Sequence, residues 1–282
     1  MVRRVVLSAL TLLLALLAGA PAAAAEEKPA FTVLMLTPDL PDDIVSERAE
    51  QATAILGRTY GVRFDVSHDT ALTPERLAGY QAVLLAGVTS FSGDALGAWT
   101  RAGHGLVIAG AGSVNAQPAE TWYEELVGTR VSTKDQSAEK RDVTVYPSHP
   151  ATGKSPSSFD VIDTWWTPST DPVDLPGFTQ LATYPGPGGK PTTSAWGHEL
   201  DSGRVFVTSM GNDWEAWGEG DFLKLLRGGL WWASGTSEPQ LQRTDQAAPA
   251  WPYVVAFVLW IGAIVVGGVI AVTRTGRPVP AA

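Results

Sequence analysis

Four short runs in this chain are apolar over most of their length: FTVLML (31–36), QAVLLAG (81–87), GLVIAG (105–110) and GRVFVTSMG (203–211). A strand with one wet face alternates apolar and polar residues. A strand that is apolar on successive residues must be covered on both faces. Helix-like segments separate the first of these runs. In 44–58, Ile44, Ala49, Ala52, Ile55 and Leu56 fit a helical stripe, with Asp42 or Asp43 placed to cap it. VRFDVS (62–67) reads as a strand. Thr73 and Pro74 open a short helix holding Leu77, and 91–101 reads as helical. The order βαβαβαβα up to Val127 predicts an α/β fold with a doubly wound, mostly parallel sheet of the flavodoxin-like type.

After Gly128 the pattern loosens into shorter, more exposed strand candidates at 143–147, 159–163, 178–184 and 192–196. A closing helix over 221–235 turns Leu223, Leu226, Leu230 and Ala233 inward, with Gly235 as its stop. Ligands of doubly wound sheets sit outside the carboxyl ends of the strands. That places 37–43, 87–91, 109–115 and 211–219 around one crevice. The segment 149–166 could fold over the same rim.

The two ends read differently. Arg3 and Arg4 precede an apolar run and a small-residue site near Ala25, which predicts a signal peptide over 1–25 and a domain over 26–235. Residues 251–273 contain no charge and are followed by Arg274 and Arg277. This predicts a transmembrane helix over 251–273, a polar linker over 236–250 and a cytoplasmic tail over 274–282. The expectation is a single-pass cell-membrane protein whose α/β domain is extracytoplasmic.

All 29 acidic residues fall between these two ends, against 16 of the 20 basic ones. Such a surface repels nucleic acid. The chain has no cysteine, which removes disulfides, thiol nucleophiles and thiolate metal sites together. Its four histidines, His68, His104, His149 and His198, show no metal-ligand spacing. No bound metal or other cofactor is expected. GAGSVNA (110–116) follows a strand, but it is neither a phosphate loop nor a nucleophile elbow, so Ser113 reads as a turn serine. GNDWEAWGEGD (211–221) mixes Asp213, Glu215, Glu219 and Asp221 with Trp214 and Trp217. Carboxylates beside indole faces suit a carbohydrate groove. An acid-lined helix start accounts for the same residues.

HPATGKSPSSFDVIDTWW (149–166) resembles the HP…G…F…DE-Y segment of the trehalose-utilisation (ThuA-like) family. SAWGHELDSGRVFVTSMGNDWEAW followed by FLKLLRGGLWWASG resembles its closing block, aW…GRVFYTSLGH…F…F…GILWA. GHGLVIAGA resembles its GGGLVGLHA strand. The resemblance spans most of 31–235. It implies a fold similar to class I glutamine amidotransferases without their catalytic cysteine, and a link to sugar metabolism.

The departures bear on function. Gly110 stands where the family shows His, Asp163-Thr164 where it shows Asp-Glu, and Gly211-Asn212 where it shows Gly-His. Trp166 takes the family's Tyr position. His149 and Asp163 alone remain of the polar set. The resulting expectation is a domain that does no catalysis, binding a carbohydrate or serving as an accessory module for a protein partner. The membrane would be contacted through the C-terminal helix. The alternative is an enzyme on sugars with a rebuilt site. Candidate ligand-binding residues are His149, Asp163, Trp165, Trp166, Asn212, Asp213, Trp214 and Trp217, with His149 expected to be structural.

Overall fold

A computed structural model describes residues 29–38, 40, 43–117 and 119–237. The apolar runs form strands β1 (Phe31–Leu36), β3 (Ala82–Ala86), β4 (Gly105–Ala109) and β11 (Gly203–Thr208), with β2 (Val62–Ser67) beside β1. Every residue of β3 and β4 is buried. Both faces of the sheet are covered. Val33, Met35, Leu84, Val107 and Phe206 belong to one core cluster, and Leu34, Leu36, Val83, Leu85, Leu106, Ile108, Val205 and Val207 to the other. Alternate residues of one strand thus enter opposite cores, so the middle of each run is apolar on successive residues.

Helix α1 (Ile44–Tyr60) starts where Asp43 accepts from the Val45 N–H at 3.1 Å and ends at Gly61. Thr73 caps the short α2 (Pro74–Leu77). The helix expected over 91–101 is shorter, α3 (Ala95–Arg101). Ser92 is drawn into a bridge with Ala71 and Gly93 follows it at φ +101°, so the helix starts only after Asp94. A short α4 (Ala111–Val114) and α5 (Thr121–Val127) follow β4. The closing helix is α6 (Gly220–Ala233).

The main sheet has nine strands in the order β2-β1-β3-β4-β11-β10-β9-β6-β7, with β6 (Glu139–Val145), β7 (Ser158–Asp163), β9 (Phe178–Pro185) and β10 (Pro191–Leu200). The first five strands are parallel, and every pairing from β11 outward to β7 is antiparallel. β5 (Val131–Lys134) and β8 (Trp166–Pro168) form a separate antiparallel pair. The expected mostly parallel sheet is therefore corrected to a mixed one. A parallel return needs a crossover of a dozen or more residues, and the links β9–β10 (186–190) and β10–β11 (201–202) are too short for one, so these strands return antiparallel.

The fold class needs a second correction. Among the described residues no helix is long and apolar enough to cross a membrane. The transmembrane helix expected over 251–273 lies outside the described residues, as do the signal peptide expected over 1–25, the tail over 274–282 and nearly all of the linker expected over 236–250.

Helix α6 lies so close to the sheet that a Cβ on Gly229 would stand 2.5 Å from the Phe206 ring. Alanine has the better helix propensity by about 1 kcal/mol, so a loss of stability on substitution reports the close approach. We expect Gly229→Ala to destabilise the domain by about 2 kcal/mol in urea unfolding, against the sign that propensity alone gives.

Candidate functional site

The carboxyl ends of β1, β3, β4 and β11 open into a cavity of about 380 Å³. Its walls include Pro38, Leu40 and Asp43 after β1, Gly87 and Thr89 after β3, Gly112 after β4, and Gly211, Asn212 and Trp217 after β11. All four stretches expected at the crevice contribute. The segment 149–166 reaches the rim through Thr164 and Trp166, and Lys134 of β5 stands beside them. The Lys134 ammonium sits 5.6 Å from the centre of the Trp166 ring.

Under this crevice lies Asp163, at the end of β7 and fully buried. Its carboxylate accepts from the backbone N–H groups of Thr164 (2.9 Å), Gly211 (2.7 Å), Asn212 (3.0 Å) and Asp213 (3.0 Å). The Asn212 side chain donates to it at 3.5 Å. Asn212 is itself fully engaged. Its Oδ1 accepts from the Ala111 N–H at 2.8 Å, and its Nδ2 donates to the carbonyls of Ser209 (2.7 Å) and Thr164 (3.0 Å). Asp213 accepts from the Thr164 N–H at 2.6 Å. Trp217 is buried and donates its indole N–H to the Gly211 carbonyl at 3.1 Å. The polar groups of 211–213 and 163–164 thus hold two loops together.

Burial pushes the Asp163 carboxyl up to about 8, and the nearby Asp213 adds to the push. The N–H groups of Gly211, Asn212 and Thr164 pull the other way. The contacts favour the carboxylate, because all of these hydrogen bonds are accepted ones and a carboxyl proton would point at donors.

Gly110, at the family's histidine position, has φ +84°, and a Cβ there would stand 3.3 Å from the Gly211 carbonyl. This backbone suits glycine and leaves little room for an imidazole.

The candidate residues are only partly brought together. Asp163, Asn212, Asp213 and Trp217 cluster at the floor, and Trp166 stands on the wall. Trp165 is 2% exposed and points into the core, where its indole N–H donates to the Glu139 carbonyl at 2.7 Å. Trp214 is 40% exposed and carries Arg48 over its ring, apart from the residues that line the cavity.

His149 lies at the other end of the sheet. Its ring packs edge-on against Trp232 of α6 at 4.6 Å, and the Trp232 carbonyl accepts from Arg204 near the start of β11. Its Nδ1 accepts from the Ala151 N–H at 3.2 Å, fixing the turn of the HP motif. His149 and Asp163, which the motif pairs in sequence, make no shared contact among the described residues.

Ser113 is fully buried, and its carbonyl accepts from the Tyr123 hydroxyl. No group of three His, Asp or Glu side chains among the described residues converges as a metal site. Sequence reasoning missed Lys134 and Ser46 at the crevice. Lys134 lies in a polar stretch without motif, and Ser46 sits in the first turn of α1, where its hydroxyl donates to the capping Asp43 at 2.6 Å.

Asp163→Asn tests the resting form of the buried acid. An asparagine of the same shape turns an –NH₂ toward backbone donors, and each mismatched buried donor costs about 1–3 kcal/mol. We expect a loss of about 3 kcal/mol in chemical unfolding. Parental stability would show that the neutral acid is the resting form.

A second expectation concerns pH. Burial holds the His149 imidazole below the ordinary histidine range, while Glu199 pulls weakly upward. A group whose folded pKa is depressed contributes stability that is complete above its unfolded value, about 6.5, and is lost as pH falls through its folded value. His149→Gln should therefore flatten the decline of stability below about pH 6.5 relative to the parent, measured by thermal unfolding from pH 7.5 to 5.

Known structures resemble this architecture. A ThuA-like protein from Bacteroides uniformis superposes with TM-score 0.63 at 20% identity, over 76% of this chain and 95% of that one. A ThuA-like protein from Parabacteroides merdae does so with TM-score 0.59 at 15% identity, over 77% and 94%. A β-galactosidase from Bacillus circulans sp. alkalophilus matches with TM-score 0.52 at 11% identity, over 74% of this chain but 32% of the enzyme. At these identities the likeness establishes the fold. No curated protein matches the chain. The family model named ThuA, trehalose utilisation, matches residues 34–233, and the chain belongs to the ThuA family.

Proposed function

We propose that the crevice of this ThuA domain binds a carbohydrate and does not turn it over. One observation carries the reading. Asp163 and Asn212, the polar groups nearest the crevice floor at motif positions, spend their hydrogen-bonding capacity on backbone groups of their own loops. Acid–base work on a sugar needs a proton donor and acceptor free to reach the substrate. The groups offered to the cavity are of another kind: the half-buried indole of Trp166, the hydroxyls of Thr89 and Thr164, and the Lys134 ammonium. A flat aromatic face with hydroxyl partners suits the C–H face and hydroxyl rim of a pyranose. The cavity lies at the lower end of the size range of small-molecule sites.

Titration calorimetry of the full chain with trehalose and with glucose tests this. If either binds, Trp166→Ala should weaken it by about 1–3 kcal/mol, the scale of a lost aromatic anchor. Trp214→Ala and His149→Gln should change it by less than about 0.5 kcal/mol, as residues off the binding surface. A new product in the incubated mixture by NMR, or a ranking with His149→Gln the most damaging, would overturn the proposal.

A further inference from the structure

Strand β2 ends the sheet, with β1 on one side and, among the described residues, no strand on the other. The Gly61 carbonyl accepts from Ala30 at 2.7 Å and the Ser67 carbonyl from Thr37 at 3.3 Å, so both face the β1 side. Alternate residues of a strand face the same way. The backbone groups of Arg63 and Asp65 therefore turn toward β1, and those of Val62, Phe64 and Val66 turn toward the open edge. Beside this edge α1 leaves a shallow apolar groove of about 300 Å³, lined by Glu50, Ala54, Arg58, Val62, Phe64 and Val66. Val66 is 41% exposed, and Ile55, which follows Ala54 in α1, is 52% exposed.

We propose that this edge is a self-complementary surface on which a second copy of the chain pairs antiparallel along β2, the two-fold axis passing at Phe64. Three observations converge on that axis. In the register with Phe64 opposite its own copy, Val62 faces Val66 of the partner subunit, and the outward backbone groups of 62, 64 and 66 meet their partners as hydrogen-bonded pairs.

On the other face of the strand, Arg63 then stands opposite Asp65 of the partner subunit, twice by symmetry. Edges that repel copies of themselves carry like charges, lysines or proline. This one carries a residue of each sign, two positions apart, and the two pair within the strand at 2.9 Å.

The third observation is on α1. Phe64 lies three residues beyond Gly61, roughly 10 Å along a strand at about 3.3 Å per residue. The same distance back along the helix, at about 1.5 Å per residue, reaches Ala54. Glu50 and Arg58 stand four residues to either side of Ala54. The axis that aligns β2 therefore also sets Glu50 level with Arg58 of the partner subunit. Helix and strand are each charge-complementary to themselves about one level.

The full-length chain contains no cysteine, so Phe64→Cys supplies a single thiol at the axis. Hydrogen-bonded antiparallel partners stand about 5.5 Å apart at Cα, within disulfide reach. Mild oxidation should give a disulfide dimer, whereas Asp160→Cys, on the exposed outer strand β7, should give none. Because Phe64 is half-buried, a second measurement uses side chains nearer the surface. Asp65→Arg or Arg63→Asp alone should weaken dimerisation in sedimentation velocity by about tenfold, as like charges then oppose each other twice, and the double exchange should restore it. A monomeric parent chain, or a dimer indifferent to both reversals, overturns the proposal.

Discussion

The carboxylate of Asp163 holds together parts of the sheet that the strand order sets apart. β7 is the last strand, with β6, β9 and β10 between it and β11. Its terminal residue nevertheless accepts from three consecutive backbone N–H groups of the loop after β11. The antiparallel half must therefore coil back over the parallel half, as the right-handed twist of strands permits. Asp213 and Asn212 return the contact through the backbone of Thr164. The crevice floor is thus a seam between two halves, closed by an acid that is itself buried.

That seam explains why motif residues are present without being presented. In a buried site each donor must find an acceptor, and the loop amides here are satisfied by the nearest polar side chains. Once Asp163 and Asn212 serve the backbone, they have little left for a ligand. The outer wall is made by a different set of residues, from β5, β8 and the first turn of α1. The crevice therefore joins a hydrogen-bonded floor to a wall of side chains from other elements.

Much of the fold was legible because burial on both faces leaves an unmistakable run, as in 82–86 and 105–109, where every residue is buried. The crevice stretches followed from strand direction alone. Strand direction after Gly128 was harder to read, since alternation marks a strand without saying which way it runs. Trp165 and Trp166 show the same limit at single-residue scale. They are neighbours in sequence and, as neighbours on extended chain, face opposite ways, one into the core and one onto the cavity. His149 and Asp163 belong to one motif, yet β7 spans the sheet between them, so sequence proximity carried no information about a shared site.

Gly110 has a consequence for how this branch of the family can change. Its left-handed backbone and the 3.3 Å clearance to the Gly211 carbonyl suit a residue without a side chain, and Asn212 Oδ1 lies 3.6 Å from the same point. A histidine restored there alone would meet strain before it met a substrate. One restored at 212 alone would unfasten the Ala111 amide and the Ser209 carbonyl that Asn212 now holds. Either single substitution toward the family pattern therefore disturbs a contact that the other position takes part in. The two positions are thus coupled through one carbonyl and one amide, and a side chain added at 110 calls for a different partner at 212.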